Sequence, residues 1–290
     1  MVTNGTTLTN DQVKKILIQP LEKKSVFLAA VPKSNVFNSN GSPVRVPKLP
    51  DPTNPDWVGE NELITEKDAT FNEITLLPSN MKSVKVITRF SNELARQAVV
   101  DISESLKLRL VRDVAYKMDD ALLNSTGANN TPVGIRKYPG IQSMAAVGKP
   151  TLDHLHDAVG LALGADVDPE GGLRWMMNSR DFVGLRKLKD SQNRYQLQPD
   201  PTEPGKYLLL GYPVTVTNRI PKNGGTGTNE SEVVLADFSQ IAVARDLAPS
   251  VTLLTERFAE YDQQALRVIT RYDAAPMNPA AVVVLKAVTA

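Results

Sequence analysis

An α+β chain, with one dominant helix and scattered antiparallel strands, is predicted by three features of the sequence. Ser91 to Ser125 runs without Gly or Pro and carries apolar residues at helical intervals. Short alternating apolar runs, punctuated by Gly and Pro, fill much of the remainder. An apolar fraction of 41% over 290 residues supplies a core for one large domain or two intimate ones.

The charges exclude several functions. Lys plus Arg (33) and Asp plus Glu (32) nearly cancel, so net positive charge does not mark the chain as a nucleic-acid binder. There is no cysteine, which removes disulfides, thiolate metal sites and cysteine nucleophiles together. Before Ala30, Lys14, Lys15, Lys23 and Lys24 surround only short apolar stretches, so no export leader is expected. No later stretch approaches the ~18 apolar residues of a membrane span, and no membrane partner is expected.

Residues 1–33 begin polar, with one helix candidate over Asp11–Ile18 capped by Asn10. Lys14, Lys15, Lys23, Lys24 and Lys33 outweigh Asp11 and Glu22, and the segment reads as an arm that packs on something else. Residues 34–83 are rich in Pro, Asn and Asp, yet Val44 and Val46, then Phe71, Ile74 and Leu76, then Val84 and Val86 mark short strands. Joined through the tip PKLPDPTNPDW they make an extended hairpin. Such a stretch of roughly 50 residues has too few large apolar side chains to close its own core, so it reads as an ordered projection that needs a neighbour. Its acids, Glu60 and Glu62 among them, form either a solvated acidic loop or a docking surface for basic groups of an adjacent subunit. Trp57 is a large ring in a polar hairpin: either a local mini-core with Val58 and Ile64, or an anchor buried in another subunit.

The Ser91–Ser125 helix has Ser91 as N-cap, Glu93 in its first turn and Gly127 past its end. At ~1.5 Å per residue it is about 50 Å long. Leu94, Ala98, Ile102, Leu106, Leu110, Val114, Met118 and Leu122 recur every four residues, a stripe that drifts around the helix, so different elements should cover its two ends. Arg96, Arg109 and Arg112, together with the lysines of the N-terminal arm, are the basic candidates to meet the acidic hairpin. Asp119 and Asp120 lie where the helix dipole disfavours negative charge and are expected to be solvated.

Beyond the tract TGANNTPVGI, Thr151 to Ala165 predicts an amphipathic helix capped by Thr151, with Leu152, Leu155, Ala158, Val159 and Ala162 on one face. Trp175 to Asn178 reads as a strand, and Phe182, Leu185 and Leu188 mark a short helix. Short strands follow between Tyr207 and Asp246, then strand candidates over Val251–Phe258, Leu266–Tyr272 and Ala281–Val288.

Catalytic and metal-binding patterns are weak. His154 and His156 form an HxH, but two residues apart on a helix they point roughly 200° away from each other and do not ligate one ion. KNGGTGTN lacks the phosphate-cradling GxxxxGK[ST] order, lies between strands and reads as a hairpin turn. No GxSxG, HExxH or calcium-loop pattern occurs, and no carboxylate pair is singled out. No catalytic residue, metal site or cofactor is expected. The aromatic residues are too scattered for a single-strand stacking platform.

Several segments, in order, carry a resemblance: DWVGENE, SNEL, MDDALLNSTGANNTPVGI, WMMNSRDFVGLRKLKDSQNRYQL, LLLGYPVTVTNRIP, VVLADFSQIAVARD and RVITRYDAAPMNPAAVVVLKAV. From about Ser34 onward the chain resembles the major capsid family of tailed phages, with the Hong Kong 97-type fold. The resemblance implies an N-terminal arm (1–33), an extended loop lying across a neighbouring subunit (34–83) and a peripheral domain with a spine helix (84–149). It further implies an axial domain around the fivefold and sixfold axes (150–248) and strands returning to the peripheral domain (249–290). The implied function is self-assembly, as pentamers and hexamers, into an icosahedral shell of the virion enclosing double-stranded DNA that it contacts non-specifically. The shell would be assembled in the host bacterial cytoplasm, and the implied partners are further copies of the chain, scaffolding, portal and decoration proteins. No long helical scaffolding segment precedes the arm, so either a separate scaffold or prior removal of one is expected. Some relatives join a loop Lys to a peripheral Asn. Here Lys48, Lys67 and Asn278, with Glu256 or Glu260 as bases, make a poor trio, so an uncross-linked shell is expected. Two rival readings are an encapsulin-like compartment shell, told apart by enclosed cargo enzyme, and a soluble α+β enzyme, told apart by particle size.

Overall fold

The computed structural model describes residues 25–48, 57–63, 72–78, 83–93, 102–145, 147–189, 192–195, 207–246 and 250–289. Arg96, Lys67, the N-terminal arm before Ser25 and the hairpin residues Asp51, Asp56, Glu66 and Asp68 lie outside the described residues.

The chain enters as α1 (Val26–Ala30), β1 (Val36–Ser39), β2 (Val44–Lys48), β3 (Asn72–Leu76) and β4 (Val84–Ser91), and then forms the long α2 (Ile102–Asn124). Next come β5 (Gln142–Met144), α3 (Leu152–Leu163), β6 (Leu173–Met177), α4 (Ser179–Arg186), β7 (Leu208–Leu209) and β8 (Tyr212–Val216). The last strands are β9 (Ser231–Asp237), β10 (Ile241–Asp246), β11 (Ser250–Leu254), β12 (Gln263–Thr270), β13 (Tyr272–Pro276) and β14 (Val282–Val288).

A mixed six-stranded sheet, in the order β5-β14-β9-β6-β8-β7, is the centre of the molecule. Because side chains alternate along a strand, its two faces feed two cores. Met176, Val234, Ala236, Val282 and Val284 face a core shared with α1 and α2, where Val111, Val114, Met118 and Leu122 are buried. Trp175, Met177, Val233, Leu235, Val283 and Leu285 face the other, closed by Leu155, Ala158 and Ala162 of α3 and Leu185 of α4. Burial on both sides explains the uninterrupted apolar runs of β9 and β14. β14, which the resemblance placed among strands returning to the peripheral domain, thus lies between β5 and β9 and belongs to both cores.

Three smaller sheets surround this centre: β11-β12-β4, β1-β10-β13 and the β2–β3 ribbon. The ribbon pairs Val44 with Leu76 and Lys48 with Asn72, so the predicted hairpin is real in its base. The predicted strand Leu266–Tyr272 is mostly β12, and β13 is a separate strand that begins where that prediction ended. It extends to Pro276 because that proline sits at the strand's last position, where a missing N–H does little harm.

Helix α3 matches its prediction closely, capped by Thr151, whose hydroxyl accepts from the His154 N–H while the His154 ring returns a bond to the Thr151 N–H. KNGGTGTN differs from its prediction. It closes a tight turn of its own, with Gly224 N–H to Glu230 C=O at 2.7 Å and the reverse bond at 3.0 Å. The strands it links, β8 and β9, are nevertheless not neighbours, because β6 lies between them.

Candidate functional site

For a chain without a catalytic pattern, the functional candidates are the surfaces left without an internal partner and the groups that hold them in place. The first is the exposed segment 57–63. Trp57 is 103% exposed and Leu63 is 92% exposed, so the mini-core around Trp57 is not made with Val58, itself exposed. Gly59 to Glu62 forms a turn in which Asn61 takes φ 64°, a left-handed conformation that asparagine tolerates. The Glu62 N–H bonds the Gly59 carbonyl at 3.3 Å, and the Glu62 carboxylate accepts the Gly59 N–H at 3.1 Å. Glu62 therefore closes its own turn, whereas Glu60 stands exposed beside it without a partner among the described residues.

The ribbon that carries this segment is fixed at its base. Leu77, buried and at φ 54°, follows β3. For a bulky residue that backbone is strained and persists only where the surroundings enforce it. Here both of its backbone polar groups are held: its N–H donates to Asp273 Oδ2 at 2.8 Å, and its carbonyl accepts from Arg271 Nη2 at 2.9 Å. Asp273 also accepts the Ala274 N–H. Burial raises its pKa above the usual carboxylate value, against the bonds from Leu77 and Ala274 and the charge of Arg271. The Tyr138 hydroxyl is pushed up too, first by burial and then by the negative Asp273. Around the clamp, Leu76, Leu77, Ala242, Ala244 and Ala275 form a third core.

The outer face of α2 carries Leu108, Arg109, Arg112, Asp113 and Tyr116, all exposed. Arg109 pairs with Asp113 one turn on at 3.0 Å, an exposed contact worth ~0.3–0.5 kcal/mol. Arg112 has no partner among the described residues. The Arg219 guanidinium lies 3.7 Å from the Tyr116 ring centroid. The structure does not bring Trp57, Glu60 or Glu62 onto Arg109 or Arg112 within one chain.

Asp119 corrects the sequence reading. Expected to be solvated, it is fully buried, where it accepts from the Ser25 hydroxyl, from the Val26 N–H at 2.9 Å and from the Phe27 N–H at 3.3 Å. It thus supplies acceptors to the open N-terminus of α1, and burial raises its pKa despite those bonds and the charge of Arg219. The signal was present in the sequence: Asp119 falls one turn beyond Ala115 and just before Leu122, on the buried side of the helix. Asp273 gave a fainter one, as the single charge in the buried strand YDAAP.

Among the described residues no helix is long and apolar enough to cross a membrane, and no cluster of three His, Asp or Glu could hold a metal. Comparison with known proteins places these surfaces in context. The family model of the phage capsid family matches residues 4–287. The major capsid protein of Klebsiella oxytoca phage phiKO2 is 26% identical over 264 residues, covering 83% of this chain and 58% of that protein. That of Halomonas phage phiHAP-1 is 26% identical over 145 residues, 50% of this chain and 23% of that protein. The chain therefore spans less than two thirds of the curated relatives it matches. Among solved structures, the capsid of a native GTA particle superposes with a TM-score of 0.69 at 18% identity, over 99% of this chain and 93% of that one. The chain of Mycobacterium phage Adephagia gives 0.69 at 15% identity, over 90% and 89%. Similarity at that level establishes the α+β capsid fold.

Proposed function

The chain belongs to the phage capsid family, and from that premise we propose that it is a major capsid protein, a subunit that works by self-assembly and performs no catalytic step. One observation carries the reading: a two-stranded ribbon, clamped at Leu77 by Arg271 and Asp273, belongs to a segment that leaves Trp57 and Leu63 fully in water. A monomer has no reason to hold a strained, anchored projection and leave Trp57 and Leu63 unburied. A neighbouring copy supplies one. The exposed face of α2, with Leu108 and Arg112, is the surface on that neighbour to which we assign the loop, Trp57 being the apolar anchor and Glu60 the charge.

In this reading the segments 1–33, 34–83, 84–149, 150–248 and 249–290 act as arm, extended loop, peripheral domain, axial domain and peripheral return. The copies close as rings of five and six into an icosahedral shell around double-stranded DNA, which the balanced net charge meets without sequence preference. Scaffolding and portal proteins complete the set of partners, and the shell is part of the virion assembled in the bacterial cytoplasm. Electron microscopy and sedimentation of the purified chain, with and without a scaffold, test this: closed shells or rings are expected, each subunit contact burying ~1,600 Å² or more. A chain that stays strictly monomeric at assembly concentrations overturns it, and enzyme cargo inside the particles would point to a compartment shell instead.

A further inference from the structure

The exposed surface of α3 and of the turn after it carries acids, with His156 beside them, and no Lys or Arg. Between Thr151 and Gly172 the sequence has no Lys or Arg, while Asp157, Asp166, Asp168 and Glu170 are exposed beside the exposed Leu161 and Leu163. The surface along α4 is basic. An open groove of about 700 Å³ is lined by Lys149, Arg180, Val183, Lys187 and Lys189. The acid on this helix, Asp181, is buried and bound by Arg180 and Ser231. Arg180 is itself engaged with Asn229 and the Lys222 and Val288 carbonyls. The available charge in the groove is therefore that of the lysines, of which Lys189 also lies 5.1 Å from the Tyr195 ring centroid.

The C-terminal end of α3, with the exposed Asp166, Asp168 and Glu170 just beyond it, and the groove sit at opposite ends of β14, although the first turn of α3 follows Lys149 closely. Bonds from Gln142 to the Leu161 carbonyl and from Asn278 to the Ala165 carbonyl hold the end of α3 near the start of that strand. The Gly148–Val288 bridge and the bond from Arg180 to the Val288 carbonyl hold the groove at its finish. At ~3.4 Å per residue the separation is roughly 20 Å, about two screening lengths at moderate ionic strength. Among the described residues no ion pair joins them. Two complementary, unlike patches on one chain, too far apart to satisfy each other, are what a head-to-tail contact between copies requires, and such contacts close rings.

We propose that neighbouring copies meet head to tail through these patches, the lysine groove along α4 of one copy receiving the acidic end of α3 of the next. This rests on the assembly reading above and assigns it a contact. Complementary charge suits such a surface, since it fixes partner and orientation more than it adds affinity. Nucleic acid in the groove would satisfy the lysines but leave the acids and Leu161 and Leu163 in water, so a second copy is the better occupant.

Charge reversal tests it. One variant carries Lys187→Glu and Lys189→Glu, the other Asp157→Lys and Glu170→Lys. Asp166, at φ 54°, and Asp168, which bonds the Glu170 N–H, are spared because they shape the turn. Each variant alone should lower the assembled fraction by about ten-fold or more where wild type is half assembled, with subunit melting unchanged. Mixed one to one, they can alternate only around an even ring, so rings of six should return without rings of five. All four substitutions in one chain should restore both. Normal assembly by either variant overturns the proposal, as does failure of the mixture and the fourfold variant while the subunits remain folded. Shells that form normally from the lysine variant but package less DNA would assign the groove to nucleic acid. Wild type that never assembles would overturn the assembly reading itself, an outcome distinct from all of these.

Discussion

Replacing Asp119 with Ala removes the acceptors for the Ser25 hydroxyl and the Val26 and Phe27 N–H groups, all at the first turn of α1. Loss of a helix N-terminal acceptor costs ~1 kcal/mol, and each buried donor left unsatisfied costs ~1–3 kcal/mol. Against this, burial of the carboxylate is itself unfavourable, as its raised pKa shows, so its removal returns part of that cost. The net expectation is a loss of about 2–4 kcal/mol, and about 1–2 kcal/mol for Asp119→Asn, which keeps one acceptor oxygen. Phe27, buried and set edge-on to Phe238 with centroids 5.9 Å apart, should loosen with the helix. Urea unfolding of dispersed subunits measures the loss, and trypsin cleavage after Lys33 reports release of α1. A loss below about 0.5 kcal/mol, the range of ordinary surface substitutions, with unchanged cleavage, would refute the anchoring role.

Trp57→Ala should weaken shells by roughly 2 kcal/mol per contact while leaving subunit unfolding unchanged, since the ring is fully exposed; equal shifts in both would end the interface reading. Glu60→Lys alone should impair assembly and leave the 59–62 turn intact, because Glu62 closes that turn; normal shells would mark Glu60 as merely solvated. Mature particles boiled in detergent should run as one band near 31.7 kDa, since both ends of the Asn278 amide are engaged, to the Ala165 carbonyl and from the Ala280 N–H; a ladder of five-fold and six-fold multiples would contradict this. For Asp273, whose folded pKa is raised above 3.8, the folded state binds the proton more tightly than the unfolded one. Its contribution is fully present below pH 3.8 and is lost as pH rises through the folded pKa. Wild type should therefore gain thermal stability relative to Asp273→Asn as pH falls towards about 4; a shrinking difference would mean that the bonds to Leu77, Ala274 and Arg271 outweigh burial.

What the sequence disclosed follows from what is local. The body of α2, the cap of α3 and the presence of β2 and β3 are written in periodicity and in single capping residues, and they appear where expected. Strand neighbours are a long-range property. Nothing in KNGGTGTN says that β6 will come between β8 and β9, and although the apolar run of AVVVLKAV signals burial on both faces, nothing in it says that β5 and β9 will be its neighbours. Of the site, the polar surroundings of Trp57 were legible, but they left open a local mini-core, and its exposure was decided only by the structure. The clamp on Leu77 was not, since it joins residues 194 and 196 positions apart. Asp119 was misread by weighing the helix dipole, a term of ~0.3–1 kcal/mol, over helical phase, and phase decided the outcome because it points the carboxylate at three donors of α1.

The position of β14 has a consequence for how subunits are made. It is synthesised after every other strand of its sheet, yet it is the piece that joins β5 to β9 and seals both cores. Until the ribosome has passed Val288, each core lacks one wall and both edges stand open. A chain interrupted during translation would therefore lack a finished body for its other elements to pack on.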